Sequence, residues 1–287
     1  MDFKVSVIIP VYNAKAFLRD AVESVVCNEY VGEINLVEDR SPDGCLQICK
    51  ELEKKYEKIR LYQHPNGENR GAGESRNLGI RNATCDYIAF LDADDYYLPE
   101  RFDECKCIFM EDSTIDFVFG ISQYEKEYES RSGKIKRMEI KSIDHFDVFD
   151  SMLTAKSGYF DTNSITIKKE SLDTLDQWFN PLLKLHQDSE FWLRIAYYLK
   201  GKPDLKVIPG AIVRQHEHNR IKHKNSDSLF LYWSAIKKKF QNEKLTRKQQ
   251  KIIDFYYFFY QQTKGKPGLS FSDKLLLKYK SRLFKIF

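Results

Sequence analysis

The sequence predicts an α/β fold: a doubly wound, mainly parallel sheet flanked by helices, with a helical extension at its C-terminal end. Three observations carry this. Short apolar runs of strand length alternate with helix-period segments through residue 95. Each run ends in polar, glycine- or carboxylate-bearing residues, and after residue 224 the strand signals stop and helix-period segments follow one another.

Val5-Ser6-Val7-Ile8-Ile9 is nearly continuous in apolar residues, as a central parallel strand is, and Pro10 is expected to stop it. Residues 16–27 place apolar side chains at 17, 18, 21, 22, 25 and 26, the stripe of a helix with one buried face. A second strand over 34–37 runs into Glu38-Asp39-Arg40-Ser41-Pro42-Asp43-Gly44. Cys45, Ile48, Leu52 and Tyr56 then share one helical stripe, and 60–63 reads as the third strand. Asn66-Gly67-Glu68-Asn69-Arg70-Gly71-Ala72-Gly73 is a glycine-bearing loop that opens a helix through Arg76, Asn77 and Leu78. The strand Tyr87-Ile88-Ala89-Phe90-Leu91 ends in Asp92-Ala93-Asp94-Asp95.

Beyond Pro99 the pattern changes. A helix is expected through Phe102, Cys105, Ile108 and Phe109, a strand over 116–121, a charged segment over 122–142 turning at Ser132-Gly133, a strand over 164–167 and a helix over 186–199. A strand over 211–213 precedes three helix candidates, 229–240, 248–262 and 272–287, the last two separated by Gly265-Lys266-Pro267-Gly268. The expected organisation is therefore an α/β domain over 1–223, divided into halves 1–98 and 99–223, and a helical extension over 224–287.

Composition narrows the function classes. With 287 residues the chain can bury a large core, and its 46 basic residues against 42 acidic ones, a formal charge of +4, do not make a nucleic-acid-binding surface. The six cysteines include no C-x2-C zinc spacing and read as reduced core and helix residues. Met1-Asp2-Phe3-Lys4 enters a strand directly, without a secretory leader's basic segment and long apolar run, and no apolar stretch approaches the roughly 20 residues of a membrane span. A cytoplasmic protein is expected.

Four polar clusters lie at strand ends or helix starts: Pro10 to Asn13, Glu38 to Asp43, Asn69 to Asn77, and Asp92 to Asp95. In an open parallel sheet such positions share the ligand crevice outside the C-terminal strand ends. Carboxylates crowded there repel one another unless a cation neutralises them, and hard oxygen donors suit Mn2+ or Mg2+. Tyr12 can stack on a base, Asp39 can accept the imide N–H of uracil, Gly71 and its neighbours permit close backbone approach, Arg76 can meet phosphate, and Asp94 can hold the metal. Taken singly, each residue also fits a plain turn, helix cap or solvated ion pair; their order and placement together favour the site.

These motifs resemble a known family. Val7-Ile8-Ile9-Pro10-Val11-Tyr12-Asn13, Val37 to Gly44, Asn69 to Asn77 and Phe90 to Asp95 are similar to the nucleotide-sugar half of a family 2 glycosyltransferase with the GT-A fold, and the likeness extends more weakly to about residue 220. The resemblance implies that Asp92-Ala93-Asp94 is the D-x-D motif, with Asp92 near ribose or sugar and Asp94 on the metal. It implies donor contacts at Pro10, Val11, Tyr12, Asn13, Asp39, Asn69, Gly71, Arg76, Asp92 and Ala93. Glu38 stands where the family usually has Asp, and Arg40 where Gly is common.

The resemblance also implies an acceptor-side acid at a helix start, and His186-Gln187-Asp188-Ser189-Glu190 looks like that segment. Gln187 replaces the usual first acid, so Asp188 takes the base role; a helix N-cap is its structural alternative. The family can complete the metal or diphosphate site with a His; alignment on Arg214-Gln215-His216 favours His216, with His218 the alternative.

The activity implied is a metal-dependent, inverting transfer of a sugar from a nucleoside-diphosphate donor, UDP-linked, to a saccharide or lipid-linked saccharide acceptor in cell-surface polysaccharide synthesis. A nucleotidyltransferase and a non-catalytic, membrane-associated nucleotide-sugar binder are the alternatives. The last helix sets Leu275, Leu276, Tyr279, Leu283, Ile286 and Phe287 on one face with lysines and Arg282 elsewhere. It suits either an anionic membrane surface, contacted through 270–287 at the inner face, or a seat on the catalytic domain.

Overall fold

The computed structural model describes residues 2–125, 145–154, 160–204, 208–216, 225–266 and 268–286. The expected turn at Ser132-Gly133 and the alternative ligand His218 lie outside them. Seven strands form the main sheet: β1 (Val5–Val11), β2 (Val31–Glu38), β3 (Ile59–Gln63), β4 (Tyr87–Phe90), β6 (Phe117–Phe119), β8 (Ile165–Lys168) and β9 (Gly201–Pro203), in the order β3-β2-β1-β4-β8-β6-β9. Strands β3, β2, β1 and β4 run parallel, β8 is antiparallel to both its neighbours, and β9 is parallel to β6. A second sheet, β5 (Tyr96–Tyr97), β10 (Ala211–Val213) and β7 (Ser122–Tyr124), is ordered β5-β10-β7.

Pro10 does not end β1. The strand continues to Val11, with Pro10 in register with Val37 of β2. Pairing with β4 stops at Ile8↔Phe90, and the Ile8 carbonyl accepts from Leu91 N, so Pro10, two residues on, presents its backbone to the unpaired side. The missing N–H therefore breaks no ladder bond.

The sheet separates two apolar layers. On one side Val5, Val7, Ile9, Val11 and Leu36 pack under α1 (Leu18–Val26), α2 (Cys45–Lys55) and α4 (Asp103–Glu111). On the other, Ile8, Phe90, Phe117 and Ile167 pack under α3 (Gly71–Asn82), α5 (His145–Thr154) and α7 (Gln187–Tyr198). Between β8 and α7 runs the short α6 (Lys169–Asp173). A side chain at Gly79 of α3 would meet Ile8 Cγ2 at 2.3 Å, so glycine is what lets this helix lie against β1.

The C-terminal helices α8 (Ser226–Phe240) and α9 (Arg247–Thr263) begin with capping boxes at Asn225 and Thr246. They add Trp233, Ile236, Phe240, Ile252, Ile253 and Phe259 to the layer that holds Trp192 of α7. In α10 (Phe271–Ile286), Leu277 packs against this layer, whereas Leu275, Leu276 and Tyr279 are exposed. No helix among the described residues is long and apolar enough to cross a membrane.

Candidate active site

The parallel strands deliver the four polar clusters to one sheet edge. Val11 ends β1 buried, Tyr12 is 49% exposed, and Asn13 adopts φ 52°, a left-handed turn from which its N–H donates to Ser41 Oγ at 3.2 Å. Asp39 N donates to the Val11 carbonyl at 2.9 Å, joining the ends of β1 and β2.

Asp39 organises the next loop. Its Oδ1 accepts from Arg70 N at 2.7 Å and its Oδ2 from Gly71 N at 2.8 Å, while its carbonyl accepts from the Asn69 side chain at 2.7 Å. The carboxylate thus faces the N-terminus of α3, where free N–H groups favour an anion, and Gly71 at φ 85° supplies the turn. Burial is the larger influence and holds the Asp39 carboxyl above its usual range; the two backbone donors pull the other way. Behind it His64 Nε2 lies 3.6 Å from Asp39 Oδ1 and 3.1 Å from Ser75 Oγ, and burial pushes its imidazole down. Glu38, in the place of the usual Asp, accepts from Ser41 N at 2.5 Å and from Gln63 Nε2 at 2.8 Å.

Past β4 the carboxylates divide. Asp92 is paired with the buried Arg76, whose guanidinium also lies 5.4 Å from the Phe179 ring centroid. Ala93 is buried. Asp94 Oδ2 lies 2.9 Å from His216 Nε2, and the His216 ring stacks on Phe17 at 4.9 Å. Asp95 is buried, accepting from Arg214 N at 2.9 Å and from Asn163 Nδ2 at 2.6 Å; burial first, then the Asp94 and Asp92 charges, push its carboxyl well above the usual range.

Asp94 and His216 share a 2.9 Å hydrogen bond, so a carboxylate oxygen and an imidazole nitrogen face one another at this edge. This hard, borderline donor pair fits Mg2+ or Mn2+, ions that commonly take one or two carboxylates and leave other positions to substrate phosphates. Among the described residues no three His, Cys, Asp or Glu side chains gather as a protein-only metal site.

Asp188 stands in the first turn of α7, half-buried, accepting from Ser189 N at 2.7 Å. The N-cap position belongs to His186, at φ 63°, so Asp188 is not the cap. Gln187 brings this turn to the donor half: a Cβ at Gly73 would be 2.8 Å from Gln187 Oε1. Asn77 reinforces the seam, exchanging hydrogen bonds with the backbone of Phe179 at 2.8 and 3.0 Å. Arg194 is held by Glu190 at 2.7 Å and by the carbonyls of Gln177 and Trp178, and is a structural ion pair.

Sequence reasoning did not single out Asn163, Phe17, His64 or Phe179. Asn163 precedes the antiparallel β8, so it reaches this edge by entering a strand, whereas the sequence signal used here was the exit from strands.

The family model for glycosyl transferase family 2 matches residues 6–173, more than half of the chain and all four clusters. The chain belongs to glycosyl transferase family 2. A minor teichoic acid biosynthesis protein GgaB of Bacillus subtilis is 39% identical over 98 residues, 33% of this chain and 11% of that protein. The chain spans 14 to 31% of the length of four further bacterial glycosyltransferases matched over 97 to 126 residues. Two solved structures share the fold. TarS residues 1–349 of S. aureus, in complex with UDP-GlcNAc, has a TM-score of 0.70 at 16% identity, covering 99% of this chain and 78% of that one. The mannosyltransferase PcManGT of Pyrobaculum calidifontis, in complex with GDP-Man and Mn2+, has a TM-score of 0.60 at 16% identity, covering 98% and 80%. The family 2 chain thus has a GT-A fold with a C-terminal helical region.

Proposed function

We propose that this family 2 enzyme transfers a sugar, with inversion, from a UDP-sugar to a saccharide or lipid-linked saccharide acceptor in cell-surface polysaccharide synthesis. The observation that carries the reading is the Asp94–His216 pair at the edge where Tyr12, Asp39, Asn69, Gly71, Arg76 and Asp92 also lie. Tyr12 offers an exposed ring for the uracil, and Asp39 holds the loop over 69–71. Asp94 and His216 would hold Mn2+ or Mg2+, which when bound offsets the charge of the departing diphosphate.

Asp188 takes the acceptor hydroxyl proton. Its carboxylate has one short local hydrogen bond and is half-buried, so lone pairs remain for a hydroxyl. Attack from that side displaces the nucleoside diphosphate from the opposite face and inverts the anomeric centre. The exposed Leu275, Leu276 and Tyr279 of α10, with Lys274 and Lys278 beside them, supply an anionic-lipid contact at the inner membrane face, where a lipid-linked acceptor would be met.

Product analysis tests the class. Incubation with UDP-sugars, a saccharide acceptor panel and Mn2+ should release UDP; pyrophosphate release from a nucleoside triphosphate instead would make the chain a nucleotidyltransferase. Absence of transfer and of donor hydrolysis across the panel would favour a non-catalytic binder.

A further inference from the structure

Asn163 lies 2% exposed between two functional segments that are far apart in sequence. Its Oδ1 accepts from Asp92 N at 2.9 Å, and its Nδ2 donates to Asp95 Oδ2 at 2.6 Å. The amide orientation follows from its partners, since a backbone N–H only donates and a carboxylate only accepts. The other oxygen of Asp95, Oδ1, accepts from Arg214 N at 2.9 Å, two residues before His216. Asn163 is itself fixed: Arg101 Nε donates to its carbonyl at 2.8 Å, and its N–H donates to Asp161 Oδ1 at 2.9 Å.

The chain 163–95–214 therefore ties the loop that carries Asp94 to the segment that carries His216. We propose that Asn163 and Asp95 are positioning residues that set the Asp94–His216 spacing and thereby the affinity for the divalent cation, neither of them touching the ion. This rests on the reading of Asp94 and His216 as the metal pair. Without this chain, segments 92–94 and 214–216 would be joined by the short β5–β10 pairing and a long contact from Arg214 Nη1 to the Asp94 carbonyl at 3.5 Å, and would find that spacing in a fraction of conformations. A ligand pair held by buried second partners loses less freedom on binding, and loss of such partners typically weakens metal affinity about 10- to 100-fold.

The hydrogen-bond polarity gives a stringent test. In D95N an amide must face either the Arg214 N–H or the Asn163 amide with a donor against a donor; in N163D two carboxylates meet. In D95N/N163D the bond between 95 and 163 returns with donor and acceptor exchanged, the Arg214 N–H meets an amide oxygen, the Asp92 N–H meets a carboxylate oxygen, and the charge count is unchanged. Free Mn2+ is measured by electron paramagnetic resonance in titrations of the full chain with UDP present, alongside melting temperature and D94A as a control.

Each single variant should bind Mn2+ at least about tenfold more weakly, and the double variant should return to within about threefold of the parent chain. Single variants of unchanged affinity, or a folded double variant that stays as weak as the singles, would overturn the proposal. If a single variant does not fold, the double variant decides alone: it retains every bond, so its failure to fold or to bind Mn2+ also overturns it. D94A separates the two levels, because unchanged Mn2+ affinity there would remove the metal pair itself, whatever Asn163 does.

Discussion

His216 Nε2 lies 2.9 Å from Asp94 Oδ2 across 122 residues of chain, while the neighbouring Asp92 is occupied by Arg76. The acidic stretch is thus divided before any substrate arrives: one carboxylate faces a guanidinium of the protein and the other an imidazole. Replacing Asp94 or His216 by Ala should weaken Mn2+-dependent UDP binding by at least about tenfold in calorimetric titrations, since each removes one of the two proposed ligands. Asp92→Asn should leave Mn2+ binding closer to the parent value and lower donor turnover instead.

Asp188→Asn retains size and one acceptor oxygen but cannot take a proton. Loss of general-base assistance is expected to lower kcat about 100-fold or more, with UDP-sugar affinity unchanged. A variant with parental kcat would remove Asp188 from the chemistry.

Two glycines on α3 give a paired test of packing against positioning. Gly79→Ala drives a methyl into Ile8 in the interior and should cost about 1–3 kcal/mol in chemical denaturation. Gly73→Ala meets the Gln187 side chain, which can shift, so its stability loss should be smaller; the shift moves the first turn of α7, and kcat should fall without a matching change in donor affinity.

The α10 surface is checked with liposomes. Removing residues 270–287 should reduce co-sedimentation with vesicles containing anionic lipid and leave weak binding to neutral vesicles as it was. Equal sedimentation of both chains would assign α10 to packing alone, through Leu277.

The alternation of strands and helices was legible as far as residue 95, because parallel strands buried on both faces read as short apolar runs and each is followed by its own helix. The edge residues were legible for the same reason: a strand leaving an apolar layer must meet polar residues at its exit. Beyond residue 99 the sheet gains an antiparallel strand and the three-residue β6 and β9, whose pairing is nonlocal and leaves little periodicity to read. Asn163 was hidden by that reversal, and Phe17 by its place inside an ordinary amphipathic helix signal. The part played by Asp95 was not legible, since nothing local distinguishes a carboxylate that caps a turn from one that bridges segments of distant origin. Pro10 misled in a smaller way: a proline stops a strand only where its N–H would have had a partner.

The sheet also partitions failure. His216 rests on Phe17, which leads into the helices of one face, whereas Asp188 rides on α7, whose Phe191, Trp192 and Ile195 share the opposite face with α8 and α9. A lesion in the tail, even at a position as distant in sequence as Ile252, has a physical route through this packed layer to the proposed base Asp188. Slow enzymes with a healthy appetite for nucleotide are therefore the expected class of tail mutants, and enzymes that have lost nucleotide are expected to trace to the other face.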